Sequence, residues 1–178
     1  MLYPACDVLP QSLVLRNDAT VHIRHINGED FFKGFLELLR FLSSPRLERE
    51  VTHAEFVEYM KVVCHSKIVL VAECARSSRI IATISVCIER KFLHNFSTVG
   101  HIEDLVIHPD FRHLDLGRAL VRLCLGFCFR GVKTEGGGVP LVCYKVILSC
   151  EENNAEFYRK CGFHVWETQM RIDKEQWM

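Results

Sequence analysis

Between Lys67 and His108 the chain carries three apolar, β-patterned runs in close succession, and this stretch dictates what the rest must pack against. Lys67–Cys74 is an unbroken run rich in Ile and Val, the signature of a strand buried on both faces. Arg76-Ser77-Ser78 is a short turn, and Ile80–Arg90 alternates as a longer strand, so the two form a hairpin. Val99–His108 is a further strand, ended by Pro109-Asp110.

A helix comes next. Leu116, Leu120, Leu123, Cys124, Phe127 and Cys128 make one apolar stripe, with Arg118 and Arg122 on the other side. Gly131–Pro140 is a glycine-rich loop, read as poorly ordered and not catalytic, and Val142–Cys150 returns as a strand. Asn153 is the expected cap of a short helix that Gly162 ends, and Phe163–Ile172 is the last strand. Upstream, residues 1–18 read as a loose lead-in. The strand around Val21 and Ile23 follows, closed by Asn27-Gly28. A helix carrying Phe31, Phe35, Leu38, Leu39 and Leu42 is stopped by Ser43-Ser44-Pro45. Thr52 and Glu55 form a capping box for a second helix, through about Cys64. The order β-α-α-β-β-β-α-β-α-β predicts a mixed α+β fold, with helices on the faces of a sheet of about six strands. Residues 19–178 read as a single domain.

Composition narrows the function. Lys plus Arg and Asp plus Glu are each 22, so the chain lacks the basic excess of a general nucleic-acid binder. No apolar run approaches transmembrane length, and the N-terminus has no secretory pattern. The nine cysteines form no C-x-x-C pair, so no zinc or dithiol redox site is expected, and a reducing, intracellular (cytoplasmic) compartment suits them. His22 and His25 face opposite ways on their strand and make poor joint metal ligands.

The strand ending at His108 runs through a turn into a helix that starts with glycine and small residues. Its exposed N–H groups and dipole suit an anionic phosphate, and Arg112 and Arg118 add positive charge. The glycine pattern is neither a Rossmann fingerprint nor a P-loop. Arg112-x-x-Asp115-x-Gly117-x-Ala119 instead resembles the acetyl-CoA pyrophosphate loop of the GCN5-related N-acetyltransferases, with Asp115 in place of the first glycine. Glu89–His94, Gly100–Leu105, Cys143–Leu148 and Asn154–Phe163 occur in the order found in eukaryotic glucosamine-6-phosphate N-acetyltransferases.

That resemblance implies acetyl transfer from acetyl-CoA to the 2-amino group of glucosamine 6-phosphate, without a metal, in a homodimer with shared active sites. The product would feed UDP-N-acetylglucosamine synthesis. The last strand is expected on the partner's side. Glu103 is implied as the base and Asp104 as a sugar contact; on the residues alone, either carboxylate can accept the proton, directly or through water. Only one of them faces the cleft unless a bulge intervenes. Tyr158 is implied to serve the departing thiolate. The donor is expected to meet Glu103, Asp104, Leu105, Val106, Arg112, His113, Leu114, Asp115, Leu116, Gly117, Arg118, Asn154 and Tyr158. The sugar phosphate is expected to meet Ser44, Lys91, Phe92, Leu93, His94, Glu103, Asp104, Tyr144, Lys145, Ser149 and Arg171. Three departures stand out: Asp173 occupies the family's arginine position, Ser149 replaces an acidic residue, and the Gly131–Pro140 loop is long. The alternatives are an acetyltransferase for another amine or for protein, and an acetyl-CoA-binding domain without turnover.

Overall fold

In the computed structural model, which describes residues 2–4, 11–42, 50–134 and 141–173, the predicted hairpin lies at the centre of the main sheet. β4 (Lys67–Cys74) and β5 (Ile80–Arg90) pair antiparallel, with Leu70 opposite Ile84. β5 pairs antiparallel with β6 (Thr98–Ile107). On the other side β4 pairs with β3 (Thr20–His25), and β3 pairs with β2 (Gln11–Val14). β8 (Cys143–Leu148) joins β6 in parallel, giving the order β2-β3-β4-β5-β6-β8. β1 (Leu2–Pro4) and β7 (Val132–Thr134) form a separate two-stranded sheet.

Nearly every residue of β4 and most of β5 are buried, as both faces are covered. On one side Phe35, Leu38 and Phe56 from α1 (Phe35–Leu39) and α2 (His53–Ser66) pack with Val71, Ile80 and Val106. α4 (Leu116–Arg130) packs on β5, β6 and β8 and buries Leu116, Leu120, Val121, Cys124, Phe127 and Cys128. Its buried stripe is the one read from the sequence, except that Val121 is covered more fully than Leu123. α4 comes so close to β6 that a Cβ on Gly100 would lie 2.6 Å from Cys128 Sγ. The capping box of α2 is present, with Thr52 Oγ1 accepting from Glu55 N–H at 3.3 Å.

Several expectations are corrected. The stretch 28–42 is not one helix. A 3-10 turn over Gly28–Phe31 is separated from α1 by Gly34 at φ +86°, where a Cβ would meet Arg79 Nη2 at 2.8 Å. The proposed stop at Ser43-Ser44-Pro45 lies outside the described residues. The lead-in supplies β1 and β2, and the loop after α4 begins with β7; strand pairing with partners distant in sequence organises both.

The chain divides into two units, Met1–Leu148 and Ser149–Met178. Within the second, α5 (Glu152–Lys160) is preceded by Glu151 as its cap residue, two positions before the predicted Asn153, and Gly162 follows at φ +98°. Residues 163–173 form no strand. Their apolar side chains alternate, but a strand exists only with a ladder partner, and they have none among the described residues. Val165, Trp166, Met170 and Ile172 are exposed.

Candidate active site

The parallel ladder between β6 and β8 ends at Ile102 opposite Leu148, yet β6 runs on to Ile107. From Glu103 onward, the edge of β6 that faces away from β5 therefore has no β8 partner. At the same place β6 carries a bulge. Ser85 pairs with Glu103 and Thr83 with Val106, with a register shift between, and Asp104 has φ +53°. Asp tolerates this left-handed conformation better than most residues. The bulge breaks the in–out alternation, so the neighbouring Glu103 and Asp104 are both exposed between buried Ile102 and buried Val106. Buried Ser85 fixes the kink, its hydroxyl 3.3 Å from the Glu103 carbonyl and 3.2 Å from Asp104 Oδ2. Lys67 Nζ forms an ion pair with Glu103. Burial alone would lower the Lys67 pKa, but the hydrogen bond to Glu103 and the charges of Glu103 and Asp104 raise it above the ordinary lysine value. Leu105 is half-buried beside Val106.

β6 leads through a 3-10 turn (Pro109–Phe111) into the loop before α4. Arg112 Nε donates to the Ile107 carbonyl at 3.2 Å, tying the loop to the strand end. His113 and Asp115 have φ +62° and +63°, and Asp115, the residue before the helix, makes no side-chain cap bond. The first-turn N–H groups of Leu116, Gly117 and Arg118 lack intrahelical acceptors, as at any helix start. Leu114 is half-buried, and Leu116 and Gly117 are buried. The left-handed position explains how aspartate replaces glycine here. Uncapped amides, the helix dipole and nearby arginines fit the pyrophosphate of a coenzyme A ester.

The β5–β6 connection, which includes the short turn α3 (Leu93–Phe96), carries the predicted sugar segment. Phe92, Leu93, His94 and Phe96 are exposed, and His94, Asn95 and Phe96 all have positive φ. Three such residues in a row store strain, a pattern typical of functional loops. His94 stacks on Tyr144 with ring centroids 4.4 Å apart, and Lys145 Nζ lies 5.7 Å from the Tyr144 ring. Glu89 pairs with Lys91 and lies 2.7 Å from His101 Nε2. This cluster stands at the Arg90–Thr98 end of the ladder, five residues from the Ser85–Glu103 pair. At ~3.4 Å per residue the separation along the strand is about 17 Å. One chain thus brings Glu103 and Asp104 together and holds Lys91, Phe92, Leu93, His94, Tyr144 and Lys145 at a separate level.

In the second unit, Tyr158 packs edge-on to Phe157 and Phe163, at 5.0 and 6.0 Å. Burial, followed by the proximity of Cys150 and Cys161, pushes its phenol up to about 12. Asn154 and Ser149 are exposed. Arg171 Nε donates to Asp173 Oδ1 at 2.7 Å, so the candidate replacement cation is paired with the residue at the family's arginine position. Ser44 lies outside the described residues.

Lys67 and Ser85 escaped sequence reasoning. Their one signal is a polar residue in an otherwise apolar strand, which does not say which strand it reaches. Among the described residues no group of three or more His, Cys, Asp or Glu side chains gathers as a metal site, and no helix is long and apolar enough to cross a membrane.

The acetyltransferase (GNAT) domain family profile matches residues 65–165. Glucosamine 6-phosphate N-acetyltransferase of Arabidopsis thaliana is 38% identical over 154 residues, 85% of this chain and 95% of the relative. Glucosamine 6-phosphate N-acetyltransferase 1 of Dictyostelium discoideum is 32% identical, covering 87% and 92%. The crystal structure of the Arabidopsis thaliana glucosamine-6-phosphate N-acetyltransferase superposes with TM-score 0.75 at 36% identity, over 86% of this chain and 98% of that one. A Trypanosoma brucei acetyltransferase structure gives TM-score 0.73 at 30% identity, over 86% and 99%.

Proposed function

We infer, from the premise that this chain belongs to the glucosamine 6-phosphate N-acetyltransferase family within the GNAT acetyltransferases, that it acetylates the 2-amino group of glucosamine 6-phosphate. The observation that carries this reading is the bulge at Asp104. It turns two adjacent carboxylates to one side, at the level where β6 and β8 part.

Acetyl-CoA supplies the acetyl group as an activated thioester. Residues 112–118 hold its pyrophosphate through backbone N–H groups and the Arg112 and Arg118 charges. Below that loop, the unpaired edge of β6 around Leu105 and Val106 offers backbone groups to the pantetheine arm, and an N–H there stabilises negative charge on the reacting carbonyl oxygen. Glu103, directly or through a water, takes the proton that the sugar ammonium must lose before its nitrogen can attack. A sugar amine near pKa ~8 needs little help to do so. Asp104, held by Ser85, binds the sugar. Tyr158, protonated at neutral pH, donates its hydroxyl proton toward the departing sulfur.

Lys91, His94, Tyr144 and Lys145 bind the sugar phosphate. Their distance along the strand from Glu103 supports a homodimer in which one chain's cluster completes its partner's pocket. The exposed apolar residues of 163–173 support the same assembly. The unbridged thiols of Cys64, Cys74, Cys87, Cys124, Cys128 and Cys143 support a reducing compartment.

The test follows CoA thiol release from acetyl-CoA with glucosamine 6-phosphate or glucosamine. Release with the phosphorylated sugar at least about tenfold more efficient in kcat/KM is expected. Equal rates would remove the phosphate pocket, and release with neither sugar would remove the activity.

A further inference from the structure

Asp115 stands where the family pattern carries glycine, so a carboxylate sits in the loop read as the donor's diphosphate site. Left unpaired, it would repel that diphosphate and oppose the helix dipole's attraction for it. Its counter-charge comes from the far edge of the sheet. Arg16 Nη2 lies 2.5 Å from Asp115 Oδ2.

Arg16 belongs to the tight turn between β2 and β3. Leu15 N–H donates to the Ala19 carbonyl at 2.9 Å and Asp18 N–H to the Leu15 carbonyl at 3.0 Å, and Leu15 is buried. The backbone of Arg16 is therefore anchored, while its side chain is 70% exposed and that of Asp115 46% exposed. The pair borders a cleft of about 250 Å³ in which Arg118 and Arg122 are the other charged lining residues and Asp115 the sole acid. An ion pair this exposed adds little to folding stability. Its effect is felt by an anion arriving at the loop.

We propose that Arg16 is the counter-ion that lets an aspartate occupy the pyrophosphate loop, keeping coenzyme A affinity by neutralising Asp115. This rests on reading residues 112–118 as the donor's phosphate site. It adds a binding role for a residue outside the loop, on the β2–β3 turn.

Calorimetric titration of the full chain with CoA tests it through binding, independently of turnover. Arg16→Gln is expected to weaken CoA binding about tenfold, a loss that shrinks as salt rises. Asp115→Asn keeps a side chain that tolerates the left-handed position, and it is expected to leave binding within about twofold, because Arg16 already offsets the carboxylate that it removes. In the Asp115→Asn background, Arg16→Gln is expected to cost less than about twofold, because no carboxylate is left to neutralise. A cost that persists in full there overturns the proposal, as does an unchanged affinity for Arg16→Gln alone. If Asp115→Asn alters CoA affinity while Arg16→Gln does not, the loop stands and only the role of Arg16 falls. If neither substitution matters, the loop reading itself fails and takes the proposal with it. Thermal melting of each variant checks that the fold is retained.

Discussion

Lys67, at the start of β4, holds the carboxylate of Glu103 on β6 by reaching across the intervening strand β5. Because the Lys67 pKa is raised above its ordinary value of 10.5, its ammonium stays charged throughout the neutral range. On the alkaline side the pair is lost only as pH rises through the higher folded value. The carboxylate therefore keeps one orientation across any neutral assay. Lys67→Met is expected to lower kcat about tenfold with little change in the KM for acetyl-CoA, and Lys67→Arg to restore most of it. Steady-state kinetics of the two variants decide this, and unchanged constants for Lys67→Met would discard the role.

Tyr158→Phe should lower kcat more than it raises KM, since proton donation to the leaving sulfur acts late. With the phenol near 12, tyrosine ionisation should put no alkaline limb on the kcat profile below about pH 10. A pH profile of both proteins checks this, and a kcat unaffected by the substitution would exclude Tyr158 when chemistry limits turnover.

A part-buried charge network fixes β3 to β4. Arg24 Nη2 lies 2.6 Å from Asp30 Oδ1 and 2.5 Å from Glu73 Oε2, and Lys33 Nζ lies 2.9 Å from Glu73 Oε1. Burial alone would raise the Glu73 pKa, but hydrogen bonds from Arg24 and Lys33, with their charges, hold it below 4.5. A depressed carboxylate pKa stabilises the fold above the unfolded value, and that gain is lost as pH falls through the folded value. Glu73→Gln should cost roughly 2 kcal/mol at neutral pH and flatten the acid dependence, as removing one partner strands the others. Urea unfolding at pH 7 and below 4.5 should show the two proteins converging in acid; parallel curves would contradict it.

Gly100→Ala should push α4 off the sheet, since the new Cβ would meet Cys128 Sγ at 2.6 Å. A loss of about 1–3 kcal/mol is expected, with partial recovery on adding Cys128→Ala. Denaturant midpoints of the single and double variants test the contact, and strict additivity would deny it.

The strands and helices that carry their own periodicity were legible in the chain itself. Lys67–Cys74, Ile80–Arg90 and the α4 stripe stand where the pattern puts them. What escaped depends on partners remote in sequence. β1 and β2 exist because other strands accept them, and the 163–172 run has no ladder partner among the described residues. In the candidate site the alternation rule put Glu103 and Asp104 on opposite faces unless a bulge intervened. The bulge overrides it, and no residue type announces a bulge at an aspartate. Arg16, Lys67 and Ser85 are likewise positioned through tertiary neighbours.

The parting of β6 from β8 leaves the far end of β6 with amides that nothing in the parallel ladder protects. Such a seam should exchange its hydrogens readily through small openings. A donor arm lying along it would close it, so deuterium uptake at Leu105–Ile107 should slow sharply when coenzyme is added and respond far less to the sugar alone.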